Sequence, residues 1–158
     1  MLRELEADIA ALTLDGKDVP VKLRVYDSLF VPLAKWSMLL TGNYRCVTPE
    51  GVRPIQEAVH GDVEASRQMY AFVDGLAQKL GADPADQVPF EKYANAANGL
   101  LKPSSAARAI DAGATQIERV DKVVQTIAAS MGMSNPDVDQ GVETVDMRLS
   151  QNTKANAA

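Results

Sequence analysis

The sequence of 158 residues is poor in the side chains that most often build reactive centres, with one cysteine, Cys46, and one histidine, His60. A single cysteine excludes an intrachain disulfide, and one of each excludes a zinc cluster or a paired Cys/His spacing motif. Both read as structural residues, since free cysteine is commonly buried; for His60, beside Val59 and Asp62, a ligand contact is the alternative. No apolar run approaches the roughly 18 residues that a membrane span requires. Residues 1–12 carry acidic side chains where a signal peptide has a basic head and an apolar centre. The expectation is a soluble, cytoplasmic protein. The net charge is −5 and no Lys/Arg run or aromatic-basic cluster occurs, so nucleic acid has no evident electrostatic footprint. Also absent are Gly-x-Gly-x-x-Gly, a phosphate loop and a Gly-x-Ser-x-Gly elbow.

What is present is apolar and helical in period. At 46% hydrophobic the chain is long enough for one compact domain, burying on the order of 70% of its unfolded surface. The clearest pattern lies in residues 102–149. From Ile117 the apolar positions continue at Val120, Val124, Ile127 and Met131, one stripe of a helix. Gly132 is placed to stop that helix, and Asn135-Pro136 reads as an N-cap followed by proline at the first helical position. The next helix has Val138, Val142, Val145 and Leu149 as its stripe, with Asp137 and Asp139 at the positive end of its dipole. These two helices are expected to pack antiparallel.

Taken in order, residues 3–12 predict a short helix and Asp15-Gly16 a turn. Val19, Val21, Leu23 and Val25 alternate with Pro20, Lys22, Arg24 and Tyr26, the period of a half-buried strand, although one strand alone has no sheet. A helix is predicted from Asp27 or Ser28 to Thr41, ended by Gly42-Asn43 and apolar nearly all round. Lys35 is the only charge between Leu29 and Leu40, and it either snorkels to solvent or sits partly desolvated. Pro54 opens a long predicted helix to Leu80, stopped by Gly81. Residues 90–101 read as a helix of low apolar content. Ser104-Ser105 are placed to cap a helix over 106–112, and Gly113 turns the chain into the final pair. Residues 151–158 have no stripe and are expected to fray.

Lys35 is followed eight residues on by Asn43; Pro103-Ser104-Ser105 is followed by Asp111-Ala112-Gly113 and by Thr115-Gln116-Ile117-Glu118; and Gly132 and Pro136 complete a closing pattern. Together these features resemble the C-terminal half of the ketopantoate (2-dehydropantoate) reductase family. The resemblance implies a mainly α fold, an all-helical bundle of the 6-phosphogluconate-dehydrogenase C-terminal-domain-like type with a short N-terminal helix-strand remnant. It implies a division into residues 1–26, a remnant of the last helix and edge strand of a dinucleotide-binding domain; 27–150, a helical substrate and dimerisation domain; and the tail 151–158. It further implies an NADPH-dependent 2-oxo acid reductase working as a homodimer, with NADPH bound mainly by a domain absent from the chain. Lys35 would then be the catalytic acid, and Asn43, Ser104, Ser105 and Gln116 would hold the substrate. The chain departs from the family at Leu39, where an asparagine is usual, and at Gln116, where the family has an acidic residue. The alternative expectation is a non-catalytic helical module that keeps the fold for interaction or dimerisation.

Overall fold

In the computed structural model, which describes residues 1–157, the chain is mainly helical. The helices are α1 (Leu2–Ala10), α2 (Lys35–Met38), α3 (Ile55–His60), α4 (Val63–Lys79), α5 (Phe90–Ala97), α6 (Ser105–Asp111), α7 (Val120–Ser130) and α8 (Pro136–Asn156). Two short strands, β1 (Thr13–Leu14) and β2 (Lys17–Asp18), pair antiparallel with Leu14 opposite Lys17. Asp15 and Gly16 between them have φ of 52° and 72°, the positive pair that a two-residue hairpin turn requires and that Asp-Gly tolerates.

The strand expected over 19–25 does not form. That stretch has no regular structure, and the strand pair lies just before it, closed by the Asp15-Gly16 turn. Alternation alone cannot hold a strand whose two edges meet no neighbour. None of residues 1–33 is buried, so this N-terminal arm lies outside the core. It is tied to itself: the Arg3 guanidinium donates to Asp27 at 2.6 Å, and Arg24 lies 3.8 Å from Glu6.

The centre of the molecule is residues 35–46. The helix expected over 27–41 starts only with a 3-10 turn at Pro32–Ala34, because residues 19–31 remain irregular. It runs through α2, widens into a π-helical turn at Leu39–Asn43 and tightens into a second 3-10 turn at Tyr44–Cys46, so Gly42-Asn43 does not end it. A π turn releases carbonyls from the ordinary ladder, and here side chains take them up. Tyr93 donates to the Met38 carbonyl at 3.2 Å, Cys46 Sγ to Gly42 at 3.2 Å and Ser104 Oγ to Asn43 at 2.8 Å. Gly42 is where it is for a steric reason: a Cβ there would lie 1.8 Å from the Tyr93 hydroxyl oxygen. Leu40 and Tyr44 from this segment join Met69, Val73 and Leu76 of α4, Ile110 of α6, Val124 of α7 and Val145 of α8 in the main core.

The long helix expected over 54–80 is two helices, because Asp62 turns out of helical geometry and caps α4 by accepting from the Ala65 amide at 2.9 Å. The stripe expected from Ile117 begins instead at Val120, where α7 starts; residues 114–119 are not helical. The Asn135 cap forms as expected, its Oδ1 accepting from the amides of Asp137 and Val138. Gly81, Gly113 and Gly132 have φ of 111°, 94° and 68°, the left-handed conformation of helix stops. The helices α7 and α8 pack antiparallel: Gln125 reaches Asp139, whereas Arg119, further back on the chain, reaches Asp146, further forward. The tail expected to fray over 151–158 is helical to Asn156. Asn152 explains this, since its side-chain amide donates to the carbonyls of Ile110 and Ala114 at 2.7 and 2.8 Å and fastens the helix end to α6. Ala158, the last residue of that expected tail, lies outside the described residues. Among the described residues no helix is long and apolar enough to cross a membrane.

Candidate functional site

The π turn and the start of α6 meet at Asn43 and Ser104, and two clefts open there. One, of about 310 Å³, is lined by Leu39, Asn43, Ser105, Ile117, Glu118 and neighbours. The other, of about 500 Å³, is lined by Asn43, Ser105, Lys102, Arg108 and the 99–103 loop. Asn43 and Ser105 form the wall between them. The loop is held against α3 by backbone bonds from the Ile55 amide to Lys102 and from the Gln56 amide to Leu100.

The structure brings three of the expected site residues together. Ser104 is 3% exposed, donates to the Asn43 carbonyl and accepts from the Ala107 amide at 3.1 Å, so its hydroxyl caps α6 and locks it to the π turn. Ser105, the first residue of α6, is exposed and faces both clefts. The other two expected residues lie elsewhere. Gln116 is exposed and lines neither cleft, and Lys35 is exposed at the first turn of α2 and also lines neither. Of the two environments open to Lys35 in the sequence, the solvent-facing one is realised.

Glu118 is the acidic group that reaches the smaller cleft. On a helix it would point about 200° away from position 116, but residues 114–119 are not helical and that relation does not hold. Glu118 is positioned through its backbone: Tyr44 donates its hydroxyl proton to the Glu118 carbonyl at 2.7 Å and accepts from the Val120 amide at 2.9 Å. Burial pushes the Tyr44 phenol above its ordinary pKa, outweighing the bond from Val120, so this tyrosine is a neutral strut. Gly113, which ends α6, was the sequence signal that the following residues leave the helix.

No nucleophile and base are paired here. Cys46 is fully buried and burial pushes its thiol up, the opposite of an activated thiolate. His60 is engaged with the Ala94 carbonyl at 3.0 Å. Among the described residues there is no group of three or more His, Cys, Asp or Glu side chains placed to hold a metal ion. No protein-family model, curated protein or solved structure matches the chain. Among the described residues the two strands form a hairpin, and no glycine-rich loop leads from a strand into a helix to receive a pyrophosphate, the part that the resemblance assigns to a separate dinucleotide-binding domain.

Proposed function

We propose that the chain is a non-catalytic helical module that assembles with a second copy of itself through its N-terminal arm. The observation that carries this reading is the arm's surface. Nine of the sixteen exposed large hydrophobic side chains among the described residues fall within the first 29, including Leu2, Leu14, Val21 and Leu29, and none of residues 1–33 is buried. Apolar surface concentrated in this way marks an interaction face. The irregular stretch 19–26 keeps the apolar-polar alternation of its sequence, and beyond the Val19 amide, which donates to Leu12, and the Val21 amide, which donates to the Val19 carbonyl, its backbone makes no hydrogen bond among the described residues, so two copies can supply each other's missing neighbour about a twofold axis. A dispersed catalytic set, with Lys35 and Gln116 away from Asn43 and Ser105, fits this role better than turnover. Light scattering behind gel filtration, up to about 100 μM chain, should show a dimer that becomes a monomer in Val21→Lys/Leu23→Lys with its far-UV circular dichroism unchanged. A wild-type monomer throughout, or a charged variant that still dimerises, overturns the reading.

A second reading rests on the shared wall of Asn43, Ser104 and Ser105: the substrate half of a 2-oxo acid reductase, with NADPH carried by a separate dinucleotide-binding domain. It requires the chain to bind a 2-oxo acid such as ketopantoate in calorimetry and Asn43→Ala to abolish that binding.

A further inference from the structure

Four arginines are half-buried: Arg45, Arg53, Arg119 and Arg148. Arg119 pairs with Asp121 and Asp146, and Arg148 lies 3.5 Å from Asp111. Arg45 and Arg53 differ, because among the described residues neither has a carboxylate within 4.0 Å. Arg45 Nη1 donates to the Ser66 hydroxyl at 2.6 Å, and Arg53 Nε donates to the Arg45 carbonyl at 2.8 Å; these are neutral acceptors that leave most of both guanidiniums free. Taking a guanidinium partly out of water with no carboxylate in direct contact is unfavourable, so two such neighbours are an unfinished arrangement. Burial and the neighbouring charge of Arg53 both lower the Arg45 pKa, against the opposing pull of Asp137 and Asp62.

Both arginines line one cleft of about 500 Å³, between the 47–53 loop and the start of α8. That volume is within the range of small-molecule sites. Its loop wall is fixed from behind, since Arg148 Nη1 donates to the carbonyls of Thr48 and Gly51 at 2.9 and 2.7 Å. Thr48 Oγ1 accepts from the Gly51 amide at 3.0 Å and so retains its own proton to donate. Glu50, Asp137 and Gln140 also line the cleft, and they suit hydroxyl or amino groups elsewhere on an occupant.

We propose that this cleft binds a phosphate-bearing small molecule, with Arg45 and Arg53 holding the phosphate and Thr48 donating to it. Two guanidinium forks and the Thr48 hydroxyl match the several acceptor oxygens of a tetrahedral phosphate in donor geometry, with the Glu50 and Asp137 carboxylates of the same cleft left to other groups of the occupant. The site belongs to the helical body and stands whether or not the arm assembles. The test is calorimetric titration of the full chain with inorganic phosphate at low salt, with wild type, Arg53→Gln, and Arg24→Gln on the arm as the control. The expected result is saturable binding with a Kd at or below about 1 mM. Arg53→Gln should weaken it at least tenfold while keeping the wild-type circular dichroism, and Arg24→Gln should match wild type. If phosphate does not saturate wild type by about 10 mM, the proposal fails. Equal affinity in Arg53→Gln, or equal loss in Arg24→Gln, also overturns it. Arg53→Lys supplies an independent check: retained charge without the fork should lose part of the affinity, and binding as tight as wild type would refute the bidentate contact.

Discussion

The carboxylate of Asp121, in the first turn of α7, is the buried charge on which the α7–α8 hairpin depends. Its side chain is 3% exposed and accepts two bonds from Arg119, at 2.8 and 2.7 Å. Arg119 goes on to Asp146 of α8 and to the Val142 carbonyl at 3.4 Å, so one guanidinium joins both helices. Burial pushes the Asp146 carboxyl up, but bonds from Arg119 and Lys122 outweigh it and hold the pKa below the ordinary value. Replacing Arg119 by methionine keeps bulk but leaves the Asp121 charge without its partner. The Asp146 arm is 42% exposed and contributes little, so the loss comes from Asp121 and should be about 3 kcal/mol, the lower end for breaking a buried pair. With a urea slope of about 2 kcal/mol/M, the unfolding midpoint should fall by about 1.5 M. Arg119→Met/Asp121→Leu, which removes both charges, should recover to within about 1 kcal/mol of wild type. Lys122→Met, which breaks a pair exposed on both sides, should change stability by no more than about 0.5 kcal/mol. An Arg119→Met midpoint equal to wild type, or a double variant no more stable than the single one, would refute the reasoning.

Two further perturbations probe the packing. Gly42→Ala forces the Tyr93 ring from its place against Met38 and should destabilise by about 1–3 kcal/mol, read as a lower thermal midpoint; an unchanged midpoint would mean that the π turn does not depend on glycine. Burial raises the Asp74 pKa above 3.8 and outweighs the bond from Gln78, and Asp74 Oδ1 has no partner. The folded state therefore holds this proton more tightly than the unfolded one, and its contribution is present at low pH and lost as pH rises through the folded value. Asp74→Asn should match wild type near pH 3 and exceed it in midpoint at pH 7; a gap that shrinks as pH rises would contradict the direction of the shift.

Local chemistry was legible in the sequence, and long-range contact was not. Asn135-Pro136, Gly81, Gly113 and Gly132 act through bonds or backbone angles within a few residues, and each does what its residue type indicates. The break at Gly61-Asp62 was readable on the same terms, as an aspartate cap, but the apolar stripe of 55–80 runs across it. The tail needed Asn152 to find carbonyls about 40 residues away, and the arm needed neighbours that the alternation of 19–25 does not supply. The candidate site divides in the same manner. Ser104 and Asn43 were named as site residues, but their bond spans 61 positions and uses a carbonyl that the π turn exposes. Lys35 and Gln116 were named through the resemblance, and a likeness in short motifs does not say which face meets a cleft. Glu118 reaches a cleft because the chain around it is not helical.

The segment 35–46 has a consequence for how the protein comes together. Its partners are distant along the chain: Tyr44 bonds across 74 positions to Glu118, and Tyr93 across 55 to Met38, while the Thr48 carbonyl just beyond it waits for Arg148, 100 positions away. Contacts of such separation form only after a large loop has closed, which slows folding. Released from a ribosome in order, the segment could pack first against α3 and α4, with Leu40 and Tyr44 left partly uncovered until α7 and α8 had been made. A chain cut near residue 102 would divide it from half its covering. The two pieces, mixed, should regain helicity together that neither reaches alone.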